Sequence, residues 1–176
     1  MSGGYHPKIR MSFPSALALG VEGFDEVLEL EMSESADMVD PDILLADLNR
    51  YTINGLNFLR ARKLDEGGKK AKLVSSVFGM TVPDEYRKAV ALRISSFLDK
   101  SSVFIEKSNG RQVDVRKAVT AIDYDENSGH LTVKILAQDG PEAGVRELLR
   151  VLELGQELFK SIFPKRICCH LANEGG

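Results

Sequence analysis

The stretch AIDYDENSGHLTVKIL, residues 121–136, sets the pattern for the fold. Apolar and polar residues alternate on both sides of a polar turn at residues 125–129, and a period of two indicates half-buried strands. The turn is rich in Asp, Asn, Ser and Gly, which favour a tight reversal of the chain. The stretch therefore predicts an antiparallel β-hairpin in the second half of the protein.

The segments on either side extend this pattern. A second hairpin is predicted around Asn109-Gly110, because Asn-Gly between two extended runs fits the turn that favours positive φ. A strand ending at Pro83 is followed by a helix, and a second helix opens at Pro141. Ile167 to Leu171 is predicted to be a closing strand. This order matches the ferredoxin-like β-α-β-β-α-β unit with one extra hairpin.

The first 64 residues are predicted to run strand, strand, helix, strand. Lys8 to Phe13 alternates with period two, and Asp25 to Met32 gives a second strand. Asp40-Pro41 is a strong helix start, since Asp caps free N–H groups and Pro fits the first turn. GLNFLRARKL, residues 55–64, is predicted to be a third strand. The order matches only the last four elements of a ferredoxin-like unit.

Gly67-Gly68-Lys69-Lys70 resembles a linker and is the best candidate domain boundary. The predicted division is an incomplete ferredoxin-like half at residues 1–66, a linker at 67–74, and a second ferredoxin-like half at 75–176 with an extra β-hairpin. A short helical turn is expected at Ala71 to Ser75. The predicted fold class is α+β, with mainly antiparallel sheets and a first half that lacks its leading strand and helix.

Composition limits the class of protein. Hydrophobic residues make up 43% of the 176 residues and charged residues 28%, which excludes broad disorder. The net charge of -3 argues against a strongly basic nucleic-acid domain, although a local basic patch remains compatible with it. No apolar run has the length of a membrane span, and the start has no apolar core of a signal peptide. A cytoplasmic location is expected.

The cysteines do not suggest a metal or disulfide site. Cys168 and Cys169 are adjacent, which makes a disulfide between them geometrically difficult and fits a reducing compartment. With His170 they invite a zinc interpretation, but zinc ligands are usually more widely spaced and no second cluster exists. Structural cysteines are therefore predicted, with no metal and no cofactor. No phosphate-loop or Gly-x-Ser-x-Gly motif occurs, so no catalytic residue is assigned.

A family resemblance begins with GYHPKIRMSF, residues 4–13, followed by ALALGVE, residues 16–22. These segments resemble the radical-SAM-linked proteins, also called domain of unknown function 2344. Looser matches are the helix from Tyr86 to Phe97, RQVDVR at residues 111–116, and the hairpin around His130. The resemblance implies an accessory role beside a radical SAM enzyme and supplies no reaction. The chain lacks the three closely spaced cysteines of such an enzyme, so it is not the radical enzyme itself.

Two segments supply candidate residues for binding a substrate or an anion: the one around His6, which follows Gly3-Gly4, and the predicted hairpin around Asn109-Gly110. His and Lys donate hydrogen bonds, and the neighbouring glycines allow close backbone approach to a ligand. The simpler interpretation of the first segment is a loop entering a strand, with its charges in water. For Arg111 and Arg116 the simpler interpretation is likewise a solvated surface. The candidates, in chain order, are Tyr5, His6, Lys8, Arg10, Arg111 and Arg116.

Three functional hypotheses follow, and the first is favoured. In the first hypothesis, the chain is a noncatalytic accessory module of a radical SAM system that presents a substrate, and RNA is the expected class of substrate. Alternatively, it is an interaction or dimerisation module that docks the radical SAM partner without contacting substrate. The third hypothesis is a small enzyme that uses His6 as acid or base. A sheet without its first strand exposes an edge, which the radical SAM protein or a second copy in a homodimer would cover.

Overall fold

The computed structural model describes residues 10–32, 39–64, 71–137, 143–154 and 162–172. These segments mix helices with mainly antiparallel sheets, which confirms the predicted α+β class. The strands are β1 (Arg10–Ser12), β2 (Glu22–Gly23), β3 (Glu29–Glu31), β4 (Lys72–Thr81), β5 (Phe104–Glu106), β6 (Gln112–Asp114), β7 (Val119–Asp125), β8 (His130–Leu136) and β9 (Lys165–Ala172). The α-helices are α1 (Pro41–Tyr51), α2 (Arg87–Leu98), α3 (Val115–Ala118) and α4 (Val145–Val151).

The chain forms two compact units. The first contains Met1–Phe13 and Leu28–Lys70, and the second contains Pro14–Val27 and Ala71–Gly176. The division after Lys70 falls inside the linker predicted at residues 67–74. Pro14–Val27, which the sequence placed with the first half, belongs to the second unit. Strand β2 explains this, because it pairs in parallel with β9.

The second unit contains a five-stranded sheet in the order β2-β9-β4-β8-β7. Its elements β4, α2, β7, β8, α4 and β9 follow the predicted β-α-β-β-α-β order. The pairs β4–β8, β4–β9 and β7–β8 are all antiparallel. The ferredoxin-like prediction is therefore confirmed for this unit, and the predicted extra hairpin, β5–β6, comes between α2 and β7.

One face of this sheet packs against helices. The buried cluster combines alternate residues of β4 and β8 with residues of α2 and α4, as the period of two requires. Its members include Phe78, Met80, Val90, Ile94, Phe97, Leu131, Val133, Ile135, Leu148, Leu149 and Leu152. On β8 the intervening residues His130, Thr132 and Lys134 face the other way and are exposed or half-buried.

The first unit, in its described part, has a two-stranded antiparallel sheet and one helix. Strand β1 pairs with β3, with Met11 opposite Leu30. Helix α1 begins as predicted, since the Asp40 side chain accepts a hydrogen bond from the Asp42 N–H at 2.7 Å. Pro41 occupies the first turn.

The predicted third strand at residues 55–64 is wrong, because no strand occurs there. The side chain of Asn49 takes the place of a neighbouring strand. Its Nδ2 donates to the Phe58 carbonyl at 2.9 Å, and its Oδ1 accepts from the Phe58 N–H at 2.8 Å. One amide thus satisfies both backbone groups of Phe58 without a β-ladder.

The predicted helical turn at Ala71 to Ser75 is also wrong, because β4 already begins at Lys72. Ser75 pairs with Leu136 on one side and with His170 on the other. Lys72 and Leu73 also pair with β9, so backbone partners on neighbouring strands hold this segment extended. Long-range pairing therefore overrides the local preference.

Candidate nucleic-acid interface

The hairpin β5–β6 and helix α3 form the first candidate site, and we call residues 99–118 the basic hairpin. Its tight turn is built by Asn109 and Gly110, where Gly110 has φ +77°. The Arg111 N–H donates to Asn109 Oδ1 at 3.2 Å, and the Gly110 N–H donates to the Lys107 carbonyl at 2.9 Å. This turn places Arg111 at an exposed tip.

The base of the hairpin is anchored through Asp114. Its Oδ1 accepts from the Arg116 N–H at 3.1 Å and from the Val103 N–H at 3.0 Å. The Asp114 side chain is only 9% exposed. Val113 and Val115 on either side are fully buried in the core. The anchored base gives the hairpin a fixed orientation on the second unit.

Arg116 is directed toward the protein rather than toward solvent. Its Nη1 donates to the Val119 carbonyl at 3.3 Å and its Nη2 to the Leu98 carbonyl at 3.5 Å. The guanidinium lies 5.7 Å from the centroid of the Phe97 ring, within cation–π range. A cation at the end of α2 also interacts favourably with the helix dipole. These contacts give Arg116 a positioning role in holding the hairpin against α2.

The exposed surface of the basic hairpin is cationic and includes an aromatic ring. Residues 99–118 contain five Lys and Arg and three Asp and Glu in a chain whose net charge is -3. Three of these cations, Lys100, Arg111 and Lys117, are exposed, against two exposed acids, Asp99 and Glu106. Phe104 on β5 is 58% exposed, and the Lys117 side chain is 70% exposed. Exposed aromatic and cationic side chains on one rigid element are suited to base stacking and phosphate contact.

The remaining sequence candidates lie elsewhere. Arg10 is in the first unit, where its Nη1 is 3.4 Å from Glu31 Oε2 and its side chain is 60% exposed. Tyr5, His6 and Lys8 lie outside the described residues, as does the acid or base role considered for His6. The structure therefore places Arg111 and Arg116 on one element and Arg10 in the other unit.

A family model described as an uncharacterized protein conserved in bacteria, domain of unknown function 2344, matches residues 1–147. The chain belongs to this family. The predicted membership of this family is confirmed, and the matched span includes the whole basic hairpin. No curated protein and no solved structure matches the chain.

Two further structural features bear on the class of protein. Among the described residues, no helix is long and apolar enough to cross a lipid bilayer. Within the same residues, no group of three or more His, Cys, Asp or Glu side chains is placed to hold a metal ion.

The sequence analysis missed a buried ion pair between Arg166 on β9 and Glu26 in the loop after β2. Arg166 Nε donates to Glu26 Oε1 at 2.7 Å, and Nη2 contacts Glu26 Oε2. The same guanidinium donates to Ser15 Oγ and to the Ser15 carbonyl, both at 3.1 Å. Its side chain is 4% exposed. No sequence signal could have found this cluster, because its partners are 140 and 151 residues away along the chain.

The pKa values in this cluster follow from burial and charge. Burial opposes the charge of Arg166, but the hydrogen bonds and the negative charge of Glu26 outweigh it and raise the pKa of the guanidinium. For the neighbouring Cys169 thiol, burial disfavours the thiolate and therefore raises the pKa, although the positive charge of Arg166 lowers it in part. A thiol with a raised pKa is a poor nucleophile at neutral pH, which agrees with the predicted structural role of Cys169.

Proposed function

We propose that this member of the family is a noncatalytic accessory module of a radical SAM system, and that it presents RNA through the basic hairpin. The observation that carries the proposal is the exposed Phe104 ring on the same anchored element as the exposed tip residue Arg111. The link to a radical SAM partner rests on the resemblance of residues 4–13 and 16–22 to the radical-SAM-linked proteins.

The chemistry of the hairpin favours RNA over a compact anion. Its exposed cations, Lys100, Arg111 and Lys117, occupy separate positions along the element, and phosphates are likewise spread along a nucleic-acid backbone. Single-stranded RNA offers unpaired bases that stack on exposed aromatic side chains. The pairing of Phe104 with a cationic surface therefore fits a single-stranded segment better than a duplex.

The anchoring of the hairpin supports a presenting role. Asp114 and Arg116 fix its base through hydrogen bonds to backbone groups, so little conformational entropy is lost when a ligand binds. Arg111 and Lys117 then act as contacts, while Arg116 acts as a positioning residue. Both arginines were candidates in the sequence, and the proposal assigns them these different roles.

The test is binding of the full chain to a fluorescent unstructured RNA oligonucleotide across a range of salt concentrations. Affinity should fall steeply with salt, and Arg111→Ala should reduce the slope of log affinity against log salt by about one. Phe104→Ala should weaken binding by about 1 to 3 kcal/mol at constant slope, since it removes stacking and no charge. Lys88→Ala, which removes an exposed cation on α2, is the matched control and should leave binding unchanged.

Two outcomes would contradict the proposal. One is absence of RNA binding at low salt, and the other is an equal loss in Lys88→Ala and Arg111→Ala. If the chain copurifies with a radical SAM protein yet binds no RNA, the alternative of a docking module that does not contact substrate replaces the proposal.

A further inference from the structure

Cys168 and His170 lie two residues apart on β9, so their side chains emerge on the same face of the strand. The Cys168 Sγ and the His170 Nε2 are 3.7 Å apart. His170 is exposed and Cys168 is half-buried. An imidazole and a thiol are thus held side by side at a surface, outside the basic hairpin and beyond the residues that the family model matches.

The spacing suits two ligands of one zinc ion. Zinc binds Cys sulfur at about 2.3 Å and His nitrogen at about 2.0 to 2.1 Å with tetrahedral angles, which separates the two donor atoms by about 3.5 Å. The observed separation needs only a small adjustment of either side chain. Structural zinc sites take four protein ligands, however, and the described residues supply no third donor close to this pair.

We propose that Cys168 and His170 form half of a zinc site, which the same two residues of a second copy complete. The sheet offers the means for this pairing. In the described part of the chain, β9 is paired with β4 on one side, whereas on its other side it meets β2 only at Lys165 and Arg166. From Cys168 onward, no strand among the described residues pairs with that side of β9, and an edge of this kind pairs with other strands.

Pairing two copies of this edge in antiparallel register around Cys169 generates the full ligand set. Cys168 of one copy then stands opposite His170 of the other, on one face, with Cβ atoms about 5 Å apart. Two thiolates and two imidazoles around a central point are a Cys₂His₂ zinc site. Each thiol releases its proton when its sulfur bonds to the metal, so binding strengthens as pH rises.

The adjacent cysteine provides a matched control. Cys169 points to the opposite face of β9, where its Sγ lies 3.9 Å from Ser76 Oγ and where burial raises its pKa. It cannot reach a metal held by Cys168 and His170. Cys168→Ser and Cys169→Ser therefore remove the same atom from adjacent positions, and only the first removes a zinc ligand.

The experiment titrates the metal-free full chain with Co²⁺ and Zn²⁺ and measures molecular mass by light scattering. The wild type should show a thiolate-to-cobalt charge-transfer band that saturates at half an equivalent per chain, together with zinc-dependent dimers. Cys168→Ser and His170→Ala should lose more than the roughly tenfold affinity that outer-shell changes cost. Cys169→Ser should bind and dimerise as the wild type does.

Three results would overturn the proposal. These are saturation at one equivalent in a monomer, unchanged metal affinity in His170→Ala, and an equal loss in Cys168→Ser and Cys169→Ser. Circular dichroism of each variant separates ligand loss from unfolding. Because RNA binding by the basic hairpin is measured without added metal, this test and that of the proposed function succeed or fail independently.

Discussion

The second unit has a core of fully buried apolar side chains, whereas helix α1 of the first unit buries no residue. All the buried hydrophobic residues found in the described parts of the chain belong to Pro14–Val27 or to residues after Lys70. Leu131, Leu148 and Val115 have no exposed surface at all. Burial of apolar surface, the dominant favourable term in folding, therefore stabilises the second unit.

Polar contacts define the described part of the first unit. The Asp40 cap, the Asn49 bridge to Phe58, and the 2.9 Å hydrogen bond from Ser12 Oγ to Glu29 are its clearest local interactions. Such contacts contribute about 1 kcal/mol each, because folding exchanges them for hydrogen bonds to water. Local stability should therefore be higher in the second unit than in the first.

The largest effect is expected from Leu131→Ala in the centre of the buried sheet. Removing its fully buried side chain leaves a cavity and should lower the free energy of unfolding by about 3 kcal/mol. Urea denaturation followed by circular dichroism measures this loss. Leu92→Ala, at a position 74% exposed, is the control and should change stability by less than about 0.5 kcal/mol. Equal losses would show that burial does not distinguish these positions.

An intermediate effect is expected from Glu26→Ala. The change leaves the Arg166 guanidinium buried without its carboxylate and should cost about 2 kcal/mol, below the value for fully buried pairs because Glu26 is 26% exposed. The same denaturation experiment measures it. Glu22→Ala breaks the exposed 3.3 Å pair with Lys165 and should cost less than about 0.5 kcal/mol. If Glu22→Ala costs more, the buried pair does not hold this loop on the sheet.

The smallest effect is expected from Asn49→Ala in the first unit. It removes both hydrogen bonds to Phe58 and should lower the free energy of local opening of α1 by about 1 kcal/mol. Native-state hydrogen exchange of the α1 amides measures this. Asn57→Ala, one residue before Phe58, is the matched control and should leave exchange unchanged. Faster exchange in both variants, to the same degree, would count against the Asn49 bridge.

The sequence predicted those secondary-structure elements that are determined by interactions within a few residues. Asn109-Gly110 gave the β5–β6 hairpin, and residues 121–136 gave the β7–β8 hairpin, because turn residues fix the reversal locally. Asp40-Pro41 gave the start of α1 for the same reason. At the candidate site, the exposed position of Arg111 followed from its place beside the turn.

The sequence did not predict features that depend on distant partners. Residues 55–64 have the composition of a strand, but the side chain of Asn49 satisfies Phe58 without one. Arg116 resembles a surface cation in the sequence, whereas its bonds to the Leu98 and Val119 carbonyls appear only when α2 and β7 are in place. The ion pair of Glu26 with Arg166 is invisible for the same reason.

Periodicity, turn chemistry and helix caps thus determined the α+β class, the order of elements in the second unit and the two hairpins, because these depend on short-range sterics and hydrogen bonding. Tertiary structure alone decided which strand β2 joins and which arginine is buried. Those outcomes depend on sheet pairing between segments far apart in the chain, and no local pattern encodes that register.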